Sequence, residues 1–247
     1  MNIRFIISLY IFCFLLAGCN SIKVDPDPDT YKVHYANTPI KVDGKLDEAI
    51  WLKAKPLTFK ANAGSLCTEN GVVKIVWDDK YLYISGVLED SDIFQRATKN
   101  WRYLYATGDT FEVFIKPEKQ TYYWELYATP NSLKNSLFYF SRYRNRRSRY
   151  SKPKAKIKEM LVASTFYGTL NDARDYDEKW ITEMAIPIKS LDKNGEKIGL
   201  GKVWKFLVGR YNYGVSFYET ELSRTGTPIG NNFHNSKSWG KMKFVKQ

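Results

Sequence analysis

Residues 40–51 read IKVDGKLDEAIW, and residues 72–84 read VVKIVWDDKYLYI. The first stretch is a polar turn rich in Asp and Gly, followed by Trp51, whose large apolar side chain we expect to fill a gap behind the turn. In the second stretch, alternating apolar residues lead into an Asp-Asp-Lys turn, and alternating tyrosines leave it. Alternation on both sides of a short polar turn predicts a β-hairpin.

The same period-two alternation recurs in short segments along the chain. The predicted strands are Val72–Trp77, Tyr81–Leu88, Phe111–Lys116, Tyr122–Ala128, Ile157–Ala163, Trp180–Ile186, Val203–Tyr211, Phe217–Leu222 and Lys241–Val245. Loops with Gly, Pro, Asn or Asp separate them, and only residues 46–51 and 188–191 fit a turn of helix. This pattern predicts one all-β domain, an antiparallel β-sandwich of jelly-roll or immunoglobulin-like type.

The N-terminal residues predict a targeting signal. Arg4 precedes an apolar run over residues 5–16, which is too short for a stable membrane-spanning helix and predicts a signal peptide over residues 1–18. Small residues directly before Cys19 resemble the bacterial lipoprotein processing site, where this cysteine is acylated; a plain secretory signal is the alternative. Residues 19–30, with their Asp-Pro repeats, predict an extended acidic tether. We therefore expect a lipoprotein of the cell envelope, anchored in the outer membrane and facing the periplasm or the cell surface.

The cysteine usage agrees with export of the protein. The chain has three cysteines; Cys13 would leave with the signal and Cys19 would be lipidated, so Cys67 would have no disulfide partner.

The formal net charge of +12 indicates acidic partners, such as anionic polysaccharide or lipid headgroups. We expect no nucleic-acid partner, because an exported lipoprotein rarely meets nucleic acid.

Arginines, tyrosines and lysines alternate in the segment from Arg142 to Lys158. One interpretation is a groove for sulfated or uronic-acid glycans, since the arginine fork binds such anions in a bidentate way. The other is a solvated loop and a sheet edge that its charges protect from aggregation. Both remain open from the sequence.

Five strings resemble the family 9 carbohydrate-binding modules and their family-9-like relatives. They are residues 109–114, 168–172, 180–187, 204–211 and 233–240, in the order and spacing of the family, and the stretches of residues 40–51 and 76–84 share the same resemblance. The resemblance implies that residues 31–247 form a β-sandwich that binds a polysaccharide or oligosaccharide without cleaving it. Family 9 modules can also hold structural Ca²⁺, and the acidic loop of residues 89–92 is either such a loop or a solvated turn.

Carboxylates and aromatic rings share one face of the predicted hairpin of residues 108–127. By period-two alternation, that face carries Thr110, Glu112, Phe114, Tyr123, Glu125 and Tyr127. A sugar suits such a face, because its C–H surfaces stack on rings and its hydroxyls donate to carboxylates. We expect the face to be open to solvent; the alternative is that it packs beneath a second layer or loop.

The resemblance also implies individual roles. Family members hold the sugar between two aromatic side chains, with polar residues below. Carried over, Glu112 is the polar contact and Phe233 is the second aromatic side chain. The first aromatic position falls on Ala106, so Trp101 and Tyr105 are the candidates to replace it.

Further candidates lie on the neighbouring strands. Glu125 stands where classical members have a basic residue, Arg210 is a candidate partner for a hydroxyl or carboxylate, and Tyr127 and His234 complete the predicted site. An enzyme is the competing hypothesis. Glu112 and Glu125 would be diagonal neighbours about 7–8 Å apart at the backbone, near the separation that glycoside hydrolases use.

Haem-based electron transfer is the third hypothesis, since related sandwich folds can hold haem between Met and His. The chain offers two histidines and three methionines beyond the signal segment: His34, His234, Met160, Met184 and Met242. A P-loop, a dinucleotide-binding glycine motif and a His-Glu-x-x-His zinc motif are all absent from the sequence.

Overall fold

β-Strands dominate the described part of the chain. The computed structural model describes residues 30–61, 65–100, 103–140, 157–192, 195–215, 217, 219–226 and 232–246. Within these ranges, no helix is both long enough and apolar enough to cross a membrane.

The elements, in chain order, are short and closely spaced. They are β1 (Thr30–Tyr35), α1 (Ile50–Lys53), β2 (Leu57–Thr58), β3 (Lys60–Ala61), β4 (Gly71–Trp77), β5 (Tyr81–Glu89), β6 (Thr110–Pro117), β7 (Tyr123–Ala128), β8 (Lys134–Tyr139), β9 (Leu161–Tyr167), β10 (Lys179–Pro187), α2 (Ile188–Leu191), β11 (Val203–Asn212), β12 (Glu221–Arg224) and β13 (Gly240–Val245).

The described strands form one sheet of 13 strands. Its main path runs β8-β7-β6-β11-β13-β1-β4-β5-β10-β9, while β12 pairs with β11 and β3, and β2 pairs with β4. The two ends of the path approach each other. The Ser164 hydroxyl on β9 donates to the Thr129 carbonyl oxygen at 2.9 Å, and the Ser164 N–H donates to the Ser132 hydroxyl at 2.9 Å. The sheet is therefore nearly closed into a barrel-like sandwich.

The all-β prediction is confirmed, with one departure from purely antiparallel pairing. Strand β1 runs parallel to both of its neighbours, β13 and β4. The sequence pattern missed this strand, and it also missed β2, β3 and β8. Strand β9 begins at Leu161, four residues later than predicted, and β12 lies at Glu221–Arg224 rather than Phe217–Leu222.

The main core lies between the inner faces of the folded sheet. Its largest fully buried members are Phe111, Trp124, Trp180, Trp204 and Phe244.

Two sequence expectations can be checked against this packing. Trp51 is 1% exposed and packs with Ile40, Val76 and Tyr83. It therefore fills the predicted gap, within a smaller cluster that lies outside the main core. Cys67 is half-buried and forms no disulfide.

The turn at Asp43 and Gly44 fixes the first sequence stretch onto the sheet. Both backbone N–H groups donate to Glu183 Oε2, at 3.0 and 2.8 Å, and the Thr165 hydroxyl donates to the Gly44 carbonyl oxygen at 2.8 Å. Gly44 has a φ of +80°, and a Cβ there would lie 2.9 Å from backbone atoms of Ser164 and Thr165. The position therefore requires glycine for two reasons, its backbone conformation and its close approach to β9.

Replacing Gly44 by Ala tests the second of these reasons. Gly201 is the matched control, because it has a φ of +76° but nothing within 4 Å of its Cβ position. We expect Gly201→Ala to lower the free energy of unfolding by about 1 kcal/mol through the left-handed conformation alone. Gly44→Ala should cost about 1–3 kcal/mol more, because the added methyl group also clashes. Urea unfolding measures both; equal losses would contradict the packing described for the turn.

Candidate functional site

The predicted hairpin of β6 and β7 has the expected faces. Glu112 pairs with Tyr127 and Phe114 pairs with Glu125, so the two glutamates are diagonal neighbours on the side opposite the main core. We call this side of β6, β7, β11 and β12 the outward face. Register continues it onto β11, where Gly209 lies opposite Glu112.

The expectation that this face is open to solvent is wrong. Glu112 is 2% exposed, Glu125 is 3% exposed, and Phe114 and Tyr127 are fully buried. Aromatic side chains from two loops contribute to this cover: Tyr105 comes from the loop before β6, and Phe233 and Trp239 come from the loop before β13. The outward face is therefore a second apolar layer with acids inside it.

Phe233 occupies the centre of the outward face. Gly209 lies directly opposite Glu112 on β6 and directly opposite Arg224 on β12. A Cβ on Gly209 would lie 2.7 Å from the Phe233 ring, so the ring rests on the glycine backbone. Neighbouring strands are about 5 Å apart, which puts the Cα atoms of Glu112 and Arg224 about 10 Å apart with the ring over the strand between them.

Glu112 is a buried acid, and its Oε1 has no hydrogen-bond partner in the described ranges. Burial raises its pKa well above the usual value, and the nearby charge of Glu125 raises it further. Among the residues that the structure describes, no basic group lowers the pKa of Glu112. An acceptor held out of water without a donor destabilises the folded state by about 1–3 kcal/mol.

Arg224 is the matching donor on the other side of Gly209. It is fully buried, and its Nη2 donates to the Ser238 carbonyl oxygen at 3.2 Å and to the Ser238 hydroxyl at 2.7 Å. Within the described part of the chain, Nε and Nη1 have no hydrogen-bond partner. Burial lowers the pKa of Arg224.

Tyr105 covers the end of the site nearest the start of β6. Its half-buried ring lies 5.0 Å from the ring of Tyr211 and 6.2 Å from that of Tyr127. The Tyr213 hydroxyl donates to the Tyr105 carbonyl oxygen at 2.7 Å and so fixes its backbone. Tyr105 therefore lies beside the first aromatic position of the family, while Ala106 is exposed. Burial first, then the charges of Glu125 and Glu112, raise the pKa of the Tyr105 hydroxyl.

Glu125 and His234 lie at the other end. Glu125 Oε1 accepts a short hydrogen bond from the Tyr127 hydroxyl, and its Oε2 lies 3.9 Å from His234 Nδ1. The same nitrogen is hydrogen-bonded to the Tyr123 hydroxyl at 2.8 Å. The structure thus brings Tyr105, Glu125, Tyr127 and His234 together with Glu112 and Phe233.

The prediction for Arg210 is corrected by the structure. Arg210 lies opposite Phe111, on the core side of β11, and is fully buried. Its Nη2 donates to Asp90 Oδ2 at 3.1 Å, to the Glu89 carbonyl oxygen at 2.6 Å and to Asn212 Oδ1 at 2.7 Å. These partners make Arg210 a structural residue that ties β11 to the loop after β5, so it is not available to a ligand on the outward face.

Several predictions lie outside the described residues: Trp101, Cys19 with the signal and tether, and nearly all of the Arg142–Lys158 segment. The loop of residues 89–92 is described, and its carboxylates accept protein donors. Asp90 Oδ2 accepts from Trp180 Nε1 at 3.1 Å, and Asp92 Oδ2 accepts from the Val215 N–H at 2.8 Å. Within the described ranges, no group of three or more His, Cys, Asp or Glu could hold a metal ion.

The haem hypothesis gains no support from the geometry. Met160, Met184 and Met242 are buried in the main core. His34 follows core-facing Val33 on β1 and therefore lies on the opposite face of that strand. His234 packs on the outward face, with its ring centroid 5.2 Å from that of Phe114. The described histidines and methionines thus lie on opposite faces of the sheet.

Sequence reasoning missed the donor side of the site. Arg224, Gly209, Tyr211 and Trp239 were not predicted. Arg224 ends a four-residue strand whose alternation is too short to assign a face. Gly209 could have been found, because a glycine in a strand marks close approach by another group.

Comparison with known proteins assigns the family. Residues 42–247 match the family model described as "Carbohydrate family 9 binding domain-like". The match covers most of the chain, so the protein belongs to this family. The prediction of a carbohydrate-binding module is confirmed at the level of the family.

Solved structures share the fold at low sequence identity. A candidate carbohydrate-binding protein from Bacteroides uniformis ATCC 8492 is 13% identical, with a TM-score of 0.67 over 87% of this chain and 98% of the other. A family 9 module from Caldicellulosiruptor kristjanssonii in complex with cellotriose is 17% identical, with a TM-score of 0.60 over 88% and 94%. The glucose complex of a family 9 module from the same organism is 13% identical, with a TM-score of 0.60 over 87% and 96%.

One curated relative is similar over a short region. Endo-1,4-beta-xylanase A of Thermoanaerobacterium saccharolyticum is 32% identical over 92 residues, which is 35% of this chain. The matched region spans only 7% of the xylanase.

The buried acid predicts a pH-dependent difference in stability. Because the folded-state pKa of Glu112 is raised above its unfolded value, folding favours the protonated form, and the wild-type protein loses stability as pH rises through the folded pKa. Glu112→Gln removes this loss. We expect similar unfolding free energies for the two proteins at pH 4 and a variant more stable by at least about 1 kcal/mol at pH 8. The exposed Glu159→Gln is the control; a pH-independent difference for Glu112→Gln would contradict the assignment.

Proposed function

We propose that the protein binds a sugar on the outward face, between Glu112 and Arg224, and thereby captures polysaccharide for other proteins to degrade or take up. The observation that carries the proposal is a buried hydrogen-bond acceptor and a buried hydrogen-bond donor, each with atoms that have no partner among the described residues. Among the described residues, Glu112 Oε1 has no donor, and Arg224 Nε and Nη1 have no acceptors. Buried polar groups in native proteins are normally paired, and exceptions call for an explanation.

A sugar supplies both missing partners. Each hydroxyl donates one hydrogen bond and accepts others, so a pyranose could donate to Glu112 and accept from Arg224 while spanning Gly209. Apolar C–H groups of the ring would stack on the aromatic side chains around the site, which include Phe114, Tyr211 and Phe233. The arrangement thus matches the two chemical surfaces of a sugar.

Access requires the Phe233 side chain to move. Its ring fills the space over Gly209, but its backbone is anchored, because Trp239 Nε1 donates to the Phe233 carbonyl oxygen at 2.7 Å. Rotation of the side chain would uncover Gly209 while the loop stays in place. The displaced ring would remain beside the bound sugar as one of its stacking partners.

Binding without cleavage fits the environment of the two glutamates. Glycoside hydrolases place their carboxylates on either side of the scissile bond. Here Glu112 and Glu125 project from adjacent strands of one sheet face, and Glu125 is already hydrogen-bonded to Tyr127. Both acids would therefore contact the same side of a sugar.

The structural relatives suggest which sugars to test first. The family 9 modules of Caldicellulosiruptor kristjanssonii were solved with glucose and with cellotriose. The partly similar bacterial xylanase points to β-1,4-xylan as a second class. Neutral β-1,4-linked oligosaccharides are thus the first probes for this chain.

Substitutions on the two sides of Gly209 test the site. We expect Glu112→Leu and Arg224→Met each to weaken binding of cellotriose or xylotriose about tenfold or more, because each removes a hydrogen-bonding group from the site. Isothermal titration calorimetry measures the affinity, and thermal unfolding confirms that each variant is folded. Glu159→Gln, on the surface, should bind like the wild-type protein. Unchanged affinity in both site variants, or no binding of either sugar to the wild-type protein, would reject the proposal.

We further propose that the protein is a lipoprotein attached through Cys19 to the cell envelope, in the outer membrane. The support is the sequence alone: a short apolar run, small residues before Cys19, and the acidic tether up to residue 30. Several acyl chains on one cysteine hold a protein on a bilayer far more firmly than a single chain does.

Cys19→Ser tests the anchor. We expect the wild-type protein, produced with its own signal in a bacterial host, to incorporate labelled palmitate and to sediment with the envelope fraction. The variant should incorporate no label and should lose most of its association with the membrane. Cys67→Ser is the matched control, since Cys67 lies in the folded domain. Equal labelling of the Cys19→Ser variant would contradict the prediction.

A further inference from the structure

A row of three lysines crosses the outward face on β6 and β11, beyond the proposed sugar site, and continues onto the same side of β13. Lys116 on β6 lies directly opposite Lys205 on β11, and Lys205 lies directly opposite Lys241 on β13. Directly opposed residues on neighbouring strands point to the same side of the sheet. Next to this row, Lys243 on β13 lies directly opposite Lys32 on β1.

This arrangement opposes the stability of the sheet. Like charges directly opposite each other on adjacent strands are destabilising. Lys116 is only 8% exposed, and burial, followed by the charge of Lys205, lowers its pKa. A stretch of sheet selected for stability alone would not align ammonium groups in this way.

Glu118 supplies negative charge near the row, and its charge opposes the lowering of the Lys116 pKa. Glu118 pairs with Lys241 at 3.4 Å. Lys205 Nζ lies 3.5 Å from the Ser236 carbonyl oxygen, which carries no net charge. Among the described residues, no carboxylate lies within ion-pairing distance of the ammonium group of Lys116 or Lys205.

We propose that the row of Lys116, Lys205 and Lys241 binds an anionic group of the glycan, a carboxylate or a sulfate, so that the protein prefers acidic polysaccharides. The inference rests on the proposed function, because it extends the same sugar site. Lys116 follows Glu112 by four residues on β6 and shares its face. A strand rises about 3.3 Å per residue, so the row lies about 13 Å from Glu112 along the strand. That distance exceeds one sugar ring, so the lysines would contact a different unit of the same chain.

Two matched trisaccharides separate the lysine row from the sugar site. The probes are cellotriose and the same trisaccharide oxidised to carboxylate at every C6, which differ in charge but share linkage and ring geometry. The test protein is Lys116→Gln/Lys205→Gln. The control is Lys80→Gln/Lys189→Gln, which removes the same net charge at two exposed positions away from the row. Affinities are measured at low and at high salt, and unfolding midpoints confirm the folded state.

We expect the wild-type protein and the control to bind the acidic trisaccharide about threefold to tenfold more tightly than cellotriose at low salt, as ion pairs of modest strength at Lys116 and Lys205 would provide. This preference should shrink at high salt. Lys116→Gln/Lys205→Gln should lose it while keeping its affinity for cellotriose.

The outcomes distinguish the two proposals. Equal wild-type affinity for both trisaccharides, with cellotriose bound, would overturn the lysine proposal and leave the sugar site intact. Equal loss of preference in the control variant would also overturn it, because net charge alone would then explain the effect. Failure of both trisaccharides to bind the wild-type protein would reject the lysine row together with the proposed function for β-1,4-linked glucans.

Discussion

The site depends on one constraint: it buries an acid, Glu112, and a base, Arg224, that do not contact each other. Glu112 and Arg224 flank Gly209, and the Phe233 ring lies where a bridging group would have to be. An unpaired charge in an apolar layer is held only by the packing around it. Here that packing comes from β6, whose residues are all buried, so both of its faces contribute to the stability of the domain.

Period-two alternation predicted the hairpin of β6 and β7 and the residues on each face, because strand geometry leaves little choice once the apolar positions are known. The covering of the outward face was not predictable in this way. It is made by loop residues such as Tyr105 and Phe233, which become neighbours only through the tertiary fold. Sequence reasoning thus identified the acids and the rings but not their burial.

Arg210 and Arg224 show that the face on which a side chain lies, and therefore its role, depends on strand register. Arg210 continues the alternation of Trp204, Phe206 and Val208 and therefore faces the core side, where it bonds backbone carbonyls and Asp90. Resemblance alone had placed it at the ligand. Arg224 faces outward because β12 pairs with β11 in the register that sets it against Gly209. Strand pairing between distant segments is not visible in a local pattern, so Arg224 was missed.

The parallel placement of β1 has a mechanical consequence. This strand is inserted between β13 and β4, and through them it joins the part of the sheet that carries the outward face to the part that carries β5, β10 and β9. It is also the first described strand, so tension on the preceding chain enters the fold through it. A pull along the strand axis would load the hydrogen bonds to both neighbours in shear, all at once rather than one after another. If the domain is held at its N-terminus against the drag of a large polymer, this arrangement would resist unfolding better than one in which the hydrogen bonds break one at a time.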